Sequence, residues 1–154
     1  MSAEQKLKEL NLELPPAPTP IAVYKPLVID GHIAYVSGHG PVQADGSLMK
    51  GRLGEDMDQQ AGYDAARQVG LTMLATLKKQ LGSLDRVKRV IKLLGLVNST
   101  ADFDQQPAVI NGCSELFVKV FGDEAGISAR SAIGTNTLPG KIPVEIEGIF
   151  EITD

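Results

Sequence analysis

Residues 127–150 read ISARSAIGTNTLPGKIPVEIEGIF, and the reading of this stretch decides the fold. Val144, Ile146, Gly148, Phe150 and Ile152 alternate with Glu145, Glu147, Ile149 and Glu151. That is the period of a strand with one dry face and one wet face. Upstream, Ser131, Ile133, Thr135 and Thr137 supply the small and β-branched residues of another strand. Between them Leu138-Pro139-Gly140-Lys141 forms a turn, with proline presetting φ and glycine free to take a positive one. The stretch therefore predicts two paired strands, with Arg130 opening one and Glu145 on the polar face of its partner. On residue types alone, the two charges belong either to a site or to a wet sheet surface.

Outward from this stretch, Pro107 to Phe121 predicts a helix whose stripe is Ile110, Cys113, Phe117, Val120 and Phe121. Val87 to Val97 is apolar and β-branched, which predicts a central strand after the break at Gly82-Ser83. Glu55 to Leu81 predicts the longest helix, with acidic residues at its start, Lys78 and Lys79 at its end and Gly82 beyond. Ile21 to Val36 reads as strands around an Asp30-Gly31 turn, starting from Ile21–Tyr24 and Leu27–Ile29. A further short strand is expected near Ser47-Leu48-Met49. The order β-β-(β)-α-β-α-β-β predicts an α+β fold, a mixed sheet with two helices on one face. Residues 1–20 stand apart as an N-terminal strap before a single domain at 21–154. A short helix over Ala3–Leu12 is followed by the proline-rich, extended run from Leu14 to Pro20. Packing against the body or a neighbour is expected of it, and no part in catalysis.

At 154 residues, 43% hydrophobic and 22% charged, the chain can bury a real core, which excludes a disordered reading. A net charge of −4 gives no general pull toward nucleic acid or anionic membrane. The single cysteine, Cys113, excludes an internal disulfide framework and a cysteine-based zinc site. With no membrane-spanning run and no signal-like apolar start, a cytoplasmic location is expected. The basic run Lys78, Lys79, Arg86, Lys88, Arg89 and Lys92 has no aromatic residue interleaved for base stacking, so it reads as a solvated face. His32 reads as solvated, Cys113 as core. His39, between Gly38 and Gly40, lies where backbone can approach a ligand closely.

An ordered set of short motifs then becomes recognisable: Ser37-Gly38 after an apolar strand, Ala129-Arg130-Ser131, Leu138-Pro139 and Val144-Glu145-Ile146-Glu147. From about Tyr24 to the C-terminus this set resembles the RidA/YjgF family, whose older label is L-PSP endoribonuclease. The resemblance implies a chorismate-mutase-like fold and a homotrimer with sites in clefts between subunits. It implies an enamine/imine deaminase that hydrolyses reactive 2-imino acids, of the 2-aminoacrylate, 2-iminobutanoate or 2-iminopropanoate type, to 2-keto acids and ammonia. Arg130 matches the carboxylate-binding arginine and Glu145 the water-orienting glutamate. Tyr24, Ser37, Gly38 and Asn111 match other pocket positions, and neither metal nor organic cofactor is implied. Ala132 stands where many members have cysteine, and His39-Gly40 replaces a more usual glutamine and aliphatic residue. Those departures admit an alternative, a trimer that binds keto acids without turnover; the older family label and the basic run admit a second, an L-PSP-type endoribonuclease. Acidic charge and the lack of a histidine acid/base pair count against the second.

Overall fold

The computed structural model describes the whole chain, Met1 to Asp154. In chain order the elements are α1 (Ala3–Glu9), β1 (Leu27–Asp30), β2 (Ile33–His39), α2 (Gln59–Leu81), β3 (Val87–Asn98), α3 (Gln106–Phe121), α4 (Asp123–Gly126), β4 (Ala129–Thr135) and β5 (Val144–Ile152). The five strands make one mixed sheet in the order β1-β2-β5-β3-β4. Only β3 and β4 run parallel.

That order corrects the expected pairing of the strands that carry Arg130 and Glu145. β4 pairs with β3, from Lys92↔Ala129 to Asn98↔Thr135, and β5 pairs with the opposite edge of β3. The cause is α3, because a strand reached through a crossover helix lies parallel beside the strand that preceded the helix. With that edge of β3 occupied, β5 takes the other, and β5, not β3, is the middle strand. The link 136–143 crosses the end of β3 and is pinned there. The Asn98 main-chain N–H donates to Pro143 O at 2.8 Å, and its side-chain amide donates to Ile142 O at 3.3 Å.

Three smaller expectations also change. Ile21–Tyr24 is exposed and outside the sheet. The region of Ser47–Met49 contributes only an isolated bridge, Val42↔Leu48. The long helix begins at Gln59, because Asp58 caps it by accepting from the Ala61 N–H at 2.8 Å. Residues 55–57 instead turn back on the Arg52 carbonyl, which accepts their N–H groups at 3.2 Å.

α2 and α3 cover one face of the sheet. The core between them includes Met73, Leu77, Leu93, Phe117, Val144, Ile146 and Phe150. The alternation of β5 holds: Val144, Ile146, Gly148, Phe150 and Ile152 are buried, and Glu145, Glu147, Ile149 and Glu151 face away. The other sheet face carries no helix. Cross-strand rows on it run Tyr35–Ile149–Lys92, Glu147–Leu94–Ser131 and Glu145–Leu96–Ile133. At the N-terminus, Ala3 and Leu7 join the same core, while Glu4 pairs with Lys78 at 2.7 Å and accepts from the Leu84 N–H at 3.0 Å. Leu14 packs against the core and Pro15 is buried, so the strap is laid down along α2 before it reaches β2.

Candidate active site

Two sets of side chains stand where chemistry is expected, and the sheet separates them. The first set surrounds the β2–β5 junction. There β2 is irregular, its register shifting between Val36 and His39, which lifts Ser37-Gly38 out of the regular ladder. Gly38 lies directly beneath the Glu145 carboxylate; a Cβ on it would sit 2.8 Å from Glu145 Oε2. A cleft of about 440 Å³ opens here, and its walls include Gly38, Glu145, Tyr24 and Ile142. Burial raises the Glu145 carboxyl above the ordinary glutamate value, and the neighbouring Glu147 charge adds to the rise. A larger depression of about 670 Å³ lies between the strap and α2, walled by Glu13, Gln43, Arg67 and others. It holds none of the expected site residues, so the smaller cleft is the candidate site.

The remaining expected residues around this cleft have distinct positions. Tyr24 stands at its edge, half exposed. The Ser37 hydroxyl donates to Lys25 O at 2.6 Å, and the Ser37 N–H donates to Pro26 O at 3.0 Å. Ser37 thus holds down the segment that carries Tyr24, and it is not among the residues that wall the cleft. His39 is 4% exposed. Its Nδ1 lies 2.5 Å from Ser37 O and its Nε2 lies 2.8 Å from Thr76 Oγ1 on α2. Burial lowers its pKa, against the opposing effect of the Ser37 carbonyl. The ring is therefore committed to joining β2 and α2, although residue 39 forms part of the cleft wall.

The second set lies at the other end of the sheet. Arg130 on the edge strand β4 is half-buried, and its Nη1 donates to Asn111 Oδ1 at 2.8 Å and to Ser114 Oγ at 3.2 Å. Both partners are on α3, so Arg130 points to the helical side, with Ala132 packed against the core beside it. Glu145 points to the bare side, with β3 standing between the two strands. No residue of β4 lines the Glu145 cleft. Within one chain, Arg130 and Glu145 do not meet.

Two features escaped the sequence. Ser114 holds Arg130 from one helical turn beyond Asn111, an i, i+3 spacing that was legible once Asn111 was singled out. The strap also lines the cleft, through Pro16 to Ile21. No sequence signal joins those prolines to Glu145. Four of the six residues of the basic run are engaged: Lys78 with Glu4, Lys88 and Arg89 with Glu151, and Arg86 with the carbonyls of Leu81 and Thr153. No group of three or more histidine, cysteine, aspartate or glutamate side chains is arranged to hold a metal ion, and no helix is long and apolar enough to cross a membrane.

Comparison with known proteins agrees with this architecture. A family model described as "YjgF/chorismate mutase-like, putative endoribonuclease" matches residues 4–144. Protein TCP17 of Trypanosoma cruzi is 39% identical over 148 residues, which cover 96% of this chain and 92% of that one. A crystal structure of a protein of unknown function from Agrobacterium tumefaciens is 41% identical, with a TM-score of 0.89 over 98% of this chain and 92% of its own. RidA from an Antarctic Psychrobacter is 26% identical, with a TM-score of 0.61 over 88% of this chain and 94% of its own. Arrangement of sheet and helices, motif order and these likenesses agree, and the chain belongs to the YjgF/chorismate mutase-like family.

Proposed function

We propose that the protein is an enamine/imine deaminase, which hydrolyses 2-imino acids to 2-keto acids and ammonia at a site shared between two copies of the chain. The observation that carries this reading is the Glu145 carboxylate, held over Gly38 in a cleft with its pKa raised. A carboxylate so tuned accepts a proton from water near neutrality more readily than an ordinary one.

The chemistry follows from those groups. An enamine first takes a proton from solvent at C3 and becomes the protonated imine. Water oxygen then adds to C2 while its proton passes to Glu145, and the C=N pair moves onto nitrogen. Glu145 returns that proton to nitrogen and takes the hydroxyl proton as the C–N bond breaks, so that C2–O becomes a carbonyl and ammonia leaves. No electrons are gained or lost. The substrate carboxylate needs a bidentate cation, which Glu145's own cleft lacks. Arg130 of a second copy supplies it, its guanidinium already oriented by Asn111 and Ser114. Because that arginine is neutralised by the carboxylate it grips, burial continues to govern Glu145. The helix-free sheet face, with Tyr35 and Ile133 about half exposed, supplies apolar surface for the association, as a homotrimer of the family's kind.

The test generates imino acids in place with an amino-acid oxidase and follows release of the keto acid. Wild type accelerates release, and Glu145→Gln loses about 100- to 10,000-fold, the usual contribution of a positioned base. Equal rates for the two proteins would refute the reading. The ribonuclease reading gains no support from the site, since His39 is buried against Thr76 and Lys78, Lys88 and Arg89 of the basic run are held in ion pairs.

A further inference from the structure

We infer that the cleft is built for a 2-imino or 2-keto acid with a large apolar side chain, and that the N-terminal strap forms the specificity wall. This rests on the proposed function for the polar end of the ligand and goes beyond it for the other end. A three-carbon imino acid engages only Glu145, the Gly38 backbone and an arginine. The cleft is about 440 Å³, within the range of roughly 300–1,000 Å³ that accepts far larger ligands. The volume beyond Glu145 is what needs an occupant.

Its walls state the chemistry of that occupant. Pro18 and Pro20 of the strap and Ile21 just after it line the cleft together with Leu48, Pro139 and Ile142. Prolines offer no N–H, and no lysine, arginine or aspartate lines any part of the cleft. An anionic substrate tail would find no cation there, and a polar one only the hydroxyls of Thr19 and Tyr24. An aromatic or branched aliphatic tail loses nothing, and Tyr24 at the edge adds an aromatic surface. The wall is also preformed. Ala3, Leu7 and Pro15 are buried, Glu4 is paired with Lys78, and the proline run beyond has little backbone freedom to lose on binding.

The experiment compares imino acids made in place from alanine, leucine and phenylalanine, using the full-length protein, and measures kcat/KM for each. In parallel, calorimetry measures binding of pyruvate and phenylpyruvate. The phenylalanine-derived imine is expected to exceed the alanine-derived one by about tenfold or more, the scale of discrimination an apolar pocket provides. Ile21→Asp is expected to collapse that ratio mainly through KM, with the fold retained because Ile21 is fully exposed. Turnover with equal rates, or with preference for the smallest imine, would overturn the inference and leave the deaminase reading standing. Tighter binding of phenylpyruvate without turnover would support the inference while the deaminase reading fell. Binding of neither keto acid together with no turnover of any imine would overturn both.

Discussion

At the residue scale, the proposed site depends on one anion whose state is set by where it is buried. Glu145 has its pKa raised, first by desolvation and then by Glu147. As the proposed base it must be ionised, so kcat is expected to rise with pH through a midpoint above the ordinary value of 4.5. Glu147→Gln removes the repelling charge and moves that midpoint down; a pH–rate profile that does not shift would assign the rise to burial alone. The same shift has a consequence for stability. Between the ordinary and the raised pKa the folded chain binds a proton that the unfolded chain has released, so stability falls as pH rises through that interval. Glu145→Gln is therefore expected to melt higher than wild type at pH 7, with the gap closing below pH 4.5, in melts run across that range. Gly38→Ala drives a methyl group against Glu145 Oε2 and is expected to lower kcat with little change in melting temperature. Arg130→Lys keeps the charge but loses the planar fork, and a loss in kcat/KM of about 100-fold, approaching that of Arg130→Ala, is expected.

At the element scale, the two covering helices approach closely where α3 presents Gly112 to the α2 backbone. A Cβ on Gly112 would collide with the Tyr63 carbonyl and lie 2.9 Å from the Arg67 nitrogen. Main chain on both sides cannot give way as a side-chain tip can, so Gly112→Ala should destabilise by about 3 kcal/mol in urea unfolding. Elements of this kind were legible where periodicity was strong. The dry and wet faces of β5, the stripe of α3 and the length of β3 all follow from residue order. Partnership between strands was not legible. Residues 127–150 contain every local sign of a hairpin, yet α3 directs β4 to one edge of β3 and leaves β5 the other. Local sequence specifies a turn; which edge remains free is decided by the whole sheet. For the same reason Arg130 and Glu145 were identifiable as residue types, while their lying on opposite faces was not. The strap gave the same lesson in reverse, since prolines that read as a passive tether line the cleft.

At the scale of the whole molecule, a sheet covered on one face and a site divided between two faces point the same way. The bare face presents Tyr35, Ile149, Leu94, Leu96 and Ile133 among Lys92, Glu145 and Glu147. Tyr35→Glu alters an exposed residue and should leave the fold intact, but it is expected to dissociate the proposed assembly in sedimentation and to lose activity with it. The central claim, that each site takes its glutamate from one copy and its arginine from another, is tested most directly by subunit mixing. Arg130→Ala and Glu145→Gln proteins, each nearly inactive alone, are co-expressed in equal amounts and assayed for imine hydrolysis. The account predicts recovery to about one quarter of wild-type activity, the chance that an interface joins an intact arginine to an intact glutamate. Mixed assemblies that remain as inactive as their parents would contradict it.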